Sequence, residues 1–128
     1  MLTKYFSLGG YKLGAGQVDG NLQTIVTGTN SVFGAAGSYP LEGGYIYFTP
    51  VGDATIAYAF QKNANGVPEF VHAGQTNEIS AGRVGVGVPT VTSLNGQAGT
   101  GIVWMTDPDV GLRAVSFPSS SRYASLDN

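Results

Sequence analysis

Asp107-Pro108-Asp109-Val110-Gly111 is the first stretch whose residue types and spacing could do chemistry. Two carboxylates ahead of a glycine open a calcium loop of the EF-hand kind, which also needs a bidentate glutamate at its twelfth position. Pro118 stands there instead. A proline that fixes φ, beside a glycine that tolerates positive φ, also makes a turn. The stretch is therefore read as a hairpin turn, and no metal ligand is assigned. Trp104, the only tryptophan, offers its ring either to a sugar or to apolar packing. His72 is the only histidine. No G-x-S-x-G elbow accompanies it, so it reads as a surface side chain on an outer strand. Glu69 and Glu78 would serve glycoside hydrolysis only if the fold held them roughly 5–9.5 Å apart. AGRVGVGVP (81–89) has the glycine density of a phosphate loop. Pro89 and the Thr-Val-Thr after it rule out the helix such a loop must open. No catalytic, cofactor or metal residue is assigned. Asn77, Glu78 and Arg83, with Trp104, are the expected ligand-binding residues.

The elements that must position these groups are strands. The chain has 128 residues, the size of one domain, with 20 glycines and no cysteine. Charged residues make up 11%, against about 25% in an average domain. Abundant Gly, Thr, Val and Tyr favour short strands and tight turns. A net charge of −2 argues against a nucleic-acid partner. No apolar run is long enough for a membrane span. Strands are expected in NLQTIVTG (21–28), SVFGAAGSYPL (31–41), GYIYFTP (44–50) and ATIAYAFQ (54–61). Further strands are expected around the Asn65-Gly66 turn, in 82–94, in 101–107 and in 111–117.

Two of these pairs are copies. GYIYFTPVGDATIAYAF (44–60) lies over GIVWMTDPDVGLRAVSF (101–117) without a gap, at an offset of 57 residues. Gly44, Thr49, Ala57 and Phe60 meet Gly101, Thr106, Ala114 and Phe117; Tyr47 meets Trp104. Upstream, GSYPLEGG resembles the longer GVPTVTSLNGQAGTG. A repeat of this length with about four strands has the anatomy of a propeller blade, whose glycine-rich strand is innermost. The expected architecture is all-β: about two four-stranded antiparallel blades of a partial propeller. Residues 1–30 would be an N-terminal segment with the outer strand of a preceding blade. A full blade spans 31–74 and an incomplete one 82–117, and 118–128 form a loose tail. A ring needs at least four blades. The partners expected are therefore further blades of the same polypeptide or other copies of the chain. Alone, the chain would expose faces carrying Tyr45, Tyr47, Trp104 and Met105. Arg83 would lie near an axial mouth.

The segments GGYIYFTPVGDATIAYAF and GTGIVWMTDPDVGLRAVSF resemble the blades of quinoprotein alcohol dehydrogenase-like (PQQ-type) β-propellers. The likeness is greater to secreted fungal propellers of that superfamily, and covers residues 8–117. It implies the fold and an extracellular location. It does not imply PQQ binding. The tryptophan-docking motif is missing after both IAYAF and LRAVSF, and a vicinal cysteine pair is impossible. PQQ or calcium would enter only if the chain belonged to a larger enzyme. The function expected is a non-catalytic structural or binding module, with carbohydrate or cell wall as ligand. The alternatives are part of a quinoprotein-like oxidoreductase whose catalytic blades lie elsewhere, and a self-assembling lectin-like protomer.

Overall fold

The computed structural model describes residues 2–3, 21–26 and 30–116. The expected tail (118–128), most of the N-terminal segment and Phe117 lie outside the described residues. What is described is all-β and antiparallel, with no helix among the described residues. A short pair joins β1 (Leu2–Thr3) to β2 (Asn21–Gln23). The first sheet has four strands in sequence order: β3 (Gly37–Tyr39), β4 (Tyr45–Phe48), β5 (Ala54–Lys62) and β6 (Pro68–Ile79). The second has three: β7 (Thr90–Thr92), β8 (Ile102–Asp107) and β9 (Gly111–Ser116).

The repeat is present in the backbone. Across β4 and β5, Tyr45 pairs with Ala59, Ile46 with Tyr58, Tyr47 with Ala57 and Phe48 with Ile56. Adding 57 to each number gives pairs found across β8 and β9: Ile102 with Ser116, Val103 with Val115, Trp104 with Ala114 and Met105 with Arg113. The first strand of each sheet follows at an offset of 53, since Gly37 pairs with Tyr47 and Thr90 with Trp104. A shared turn explains how. Leu41-Glu42-Gly43-Gly44 and Leu94-Asn95-Gly96-Gln97 each close with a hydrogen bond from the fourth N–H to the leucine carbonyl, 3.0 and 2.8 Å. Both have positive φ at the two central residues, Glu42 and Gly43 or Asn95 and Gly96, the type I′ geometry that suits tightly reversed strands. The second unit then carries the extra residues 98–101 before β8.

Side chains alternate across a strand, so each sheet has two faces. On β8 the alternation is visible: Val103, Met105 and Asp107 are buried, while Ile102 and Thr106 are exposed. The core joins Tyr39, Tyr47 and Ala57 of the first sheet to Val103 and Met105 of the second, with Tyr45, Val91 and Val115 packed around them. The two sheets thus meet through unlike faces. Tyr47 is the register equivalent of Trp104, which faces away from the core; Val103 and Met105 are equivalents of Ile46 and Phe48, on the far side of the first sheet. A two-fold sandwich would bring like faces together. Here the second sheet follows the first in the same sense, head to tail.

The expectation that Tyr47 and Met105 would lie on open faces needs correcting. They are 3% and 4% exposed, because each sheet covers one face of the other. The glycine-rich strand expected across 82–94 is a strand only at Thr90–Thr92. Two glycines stand where a side chain would not fit. A Cβ on Gly37 would overlap the Pro89 carbonyl, and one on Gly87 would overlap the Thr106 hydroxyl. At Gly37, β3 therefore closely approaches the backbone just before β7, whereas the Gly87 contact lies between residues 87 and 106 of the second unit. The Asn65-Gly66 turn closes β5 onto β6, with Asn63 Oδ1 accepting from the N–H of Asn65 and of Val67 at 2.9 and 3.1 Å.

Candidate functional site

The Asp107–Gly111 stretch is the turn between β8 and β9. Asp107 Oδ1 accepts from the Asp109 N–H at 2.9 Å, the local bond of an Asx turn. Its Oδ2 accepts from the Ala81 N–H at 2.9 Å and lies 3.4 Å from Arg113 Nη2. Burial alone would raise the pKa of this carboxyl. The N–H groups of Asp109, Ala81 and Val110, with the Arg113 guanidinium, outweigh that cost and hold it below the ordinary carboxylate value. Arg113 Nη1 donates to the Ile79 carbonyl at 2.9 Å. Asp107 and Arg113 therefore clamp the second hairpin onto the segment leaving β6. Ser80 Oγ donates to the Pro50 carbonyl and accepts from the Gly52 N–H at 3.0 Å, clamping the first hairpin to the same segment.

Arg83 turns to the second hairpin. Its Nε donates to Asp109 Oδ1 at 2.8 Å and its Nη2 to the Pro108 carbonyl at 2.9 Å. Both charged side chains are more than half exposed, so solvent weakens the pair. Asn77 and Glu78 are exposed near the end of β6, and the Glu78 carbonyl accepts from Thr76 Oγ1 at 2.8 Å. Trp104 lies apart from these three, on the outer face of the second sheet, with Nε1 donating to Thr92 Oγ1 at 2.8 Å. His72 is exposed on β6 and sits edge-on to Tyr58 at 5.8 Å. Glu69 and Glu78 share β6 nine residues apart; at strand rise that is about 30 Å, too far for a carboxylate pair acting on one bond.

Three features escape a reading of residue types. Thr49 and Thr55 face each other inside the sheet interface, 3.0 Å between hydroxyls, with Thr55 Oγ1 donating to Met105 Sδ at 3.0 Å. Tyr39 buries a hydroxyl with no hydrogen-bond partner among the described residues. Each sheet also has a groove beside its first loop. That of the second sheet holds about 580 Å³, with Ile102 and Ala114 in its wall and Thr92, Ser93, Leu94 and Thr100 around them. That of the first holds about 270 Å³ between Tyr39, Tyr45, Phe60 and Phe70. Of the extra residues, Gly99, Thr100 and Gly101 line the larger one, and a sequence signal for it existed in the longer second loop. No helix among the described residues is long and apolar enough to cross a membrane.

In comparisons with protein families, curated proteins and solved structures, nothing matches this chain.

Proposed function

We propose that the two sheets are consecutive blades of a propeller-type ring, and that the chain acts as a non-catalytic structural module. The observation behind this reading is the hairpin register repeated at 57 residues, combined with packing through unlike faces. That combination is what radial repetition of one sheet requires. The roles of the buried polar side chains also support it. Asp107, Thr49, Thr55 and Ser80 are each spent on holding one segment to another.

A binding role for carbohydrate is the second reading. The groove wall of Ile102 and Ala114, with the hydroxyls of Thr92, Ser93, Thr100 and Ser116, favours it: such a surface pairs an apolar ring face with hydrogen-bonding groups. Passage over immobilised plant and fungal polysaccharides separates the two. A structural module elutes unretarded, and so does Trp104→Ala. Retention of the wild type, lost in Trp104→Ala, would replace the first reading by the second. Turnover of an alcohol with added PQQ and calcium would overturn both.

A further inference from the structure

We propose that the Trp104 face of the second sheet docks onto the Ile46–Phe48–Ile56 face of the first sheet in a second copy of this chain. The interface inside the chain supplies the template. There, the Tyr47 face of one sheet is covered by the Val103–Met105 face of the next. Register equivalence then leaves two faces, one of each kind. The Trp104 face is the counterpart of the covered Tyr47 face. The Ile46–Phe48 face is the counterpart of the covering Val103–Met105 face. One copy offers what the other lacks.

Their composition suits the pairing. The open face of the second sheet carries Ile102, Trp104, Leu112 and Ala114 among hydroxyl residues, and its strands place no charged side chain there. Ile102 and Leu112 are 37% and 66% exposed, whereas Thr55, the counterpart of Leu112 in the first sheet, is 3% exposed. An apolar side chain in the open and a threonine in the buried counterpart is the reverse of what solvation alone would select. The far face of the first sheet carries half-buried Ile46, Phe48 and Ile56 beside buried Tyr58, with Phe48 and His72 edge-on to Tyr58 at 6.1 and 5.8 Å. Because unlike faces meet, the contact is heterologous, and copies add in one direction until a ring closes or a chain grows. The inference rests on register and packing, independently of whether a sugar binds.

The test uses the full chain and two variants, Leu112→Lys on one face and Ile56→Lys on the other. Trp104→Lys and His72→Glu serve as second variants if either fails to keep the wild-type circular dichroism spectrum. Mass in solution is measured by light scattering over about a hundredfold range of concentration. The wild type is expected to form species of more than one chain, and each variant alone to be a monomer or at most weakly paired. Mixing the two variants should produce a species of one copy of each and no larger one, since one productive pair of faces survives. A monomeric wild type overturns the proposal. So does a Leu112→Lys variant that dissociates while Ile56→Lys does not, with no pairing on mixing, because that is the behaviour of a like-face dimer.

Discussion

Tyr47 and Trp104 stand at the same register position in two hairpins, each opposite an alanine, yet only Tyr47 is enclosed between the sheets. The ring of Tyr47 lies 6.3 Å from that of Tyr45 in a near-parallel stack. Trp104 instead lies against its own sheet and bonds Thr92. Truncating the two residues should therefore cost different amounts. Tyr47→Ala should lose about 3–5 kcal/mol, the range for a large aromatic removed from a core. Trp104→Ala in the isolated chain should lose about 1 kcal/mol. Urea unfolding followed by circular dichroism measures both, and equal losses would mean that the two faces are covered alike.

The Met105 sulfur accepts from a buried hydroxyl pair, so its replacement has two parts. Met105→Leu nearly conserves volume and should cost about 1 kcal/mol. Met105→Ala opens a cavity between the sheets and should cost about 2–5 kcal/mol. Thr55→Val removes the donor of the 3.0 Å contact. A double-mutant cycle between Thr55→Val and Met105→Leu should show a coupling of about 0.5 kcal/mol or more; strict additivity would mean that the sulfur contact contributes nothing.

The hairpins were legible because glycine, threonine and alanine recur at fixed spacing in 44–60 and 101–117, and strand alternation follows from residue type. Which face meets which was not. Alternation divides a strand into two sides without saying which side a neighbour covers, so Tyr47, Trp104 and Met105 read alike and the structure separates them. In the glycine-rich run 82–89, Gly87 stands against Thr106 with no room for a side chain. The run was not legible as an interrupted ladder, for glycine weakens a strand as readily as it permits crowding. Asp107 read as a turn residue. Its second role, accepting from Ala81, depends on a segment 26 residues away in sequence, and no local pattern records it.

The two kinds of glycine can be told apart. Gly37 has no steric need of positive φ, but a Cβ there meets the Pro89 carbonyl. Gly66 has φ of 73° and open space around it. Gly37→Ala should force β3 away from the backbone just before β7 at a cost of about 1–3 kcal/mol. Gly66→Ala should cost about 1 kcal/mol from backbone strain alone. The sheet packing should register only the first: the methyl resonance of Met105 should shift in Gly37→Ala and stay in place in Gly66→Ala.

Alkali should attack the core through Tyr47. Burial raises the pKa of its phenol far above the ordinary 10.0, with Tyr45, Glu42 and Tyr39 adding to the effect. The folded chain thus holds this proton where the unfolded chain releases it. The stabilisation is complete below pH 10 and lost as pH rises from there. Absorbance at 295 nm should show exposed tyrosines ionising first, and Tyr47 ionising only with loss of the circular dichroism signal. Tyr47→Phe should move the alkaline unfolding midpoint upward; an unchanged midpoint would shift the cause to other groups.

Acid should act on the clamp at the other end of the sheets. Asp107 has its carboxyl held below the ordinary 3.8, so the folded chain binds fewer protons than the unfolded one near that pH. Its contribution is present above the unfolded value and is lost as pH falls through the folded one. Asp107→Asn keeps the size of the side chain and can still accept at one oxygen. It cannot accept from both Asp109 and Ala81 through two oxygens, and it leaves Arg113 without its carboxylate. The expected loss at pH 7 is about 2 kcal/mol. That difference between wild type and variant should shrink as the pH is lowered below about 4, because the wild-type carboxyl then takes up the proton that weakens the same bonds. Unfolding curves at pH 7, 5 and 3 give the comparison. A gap that stays constant across them would mean that the carboxylate charge contributes nothing, leaving shape and neutral hydrogen bonding as the whole of the clamp.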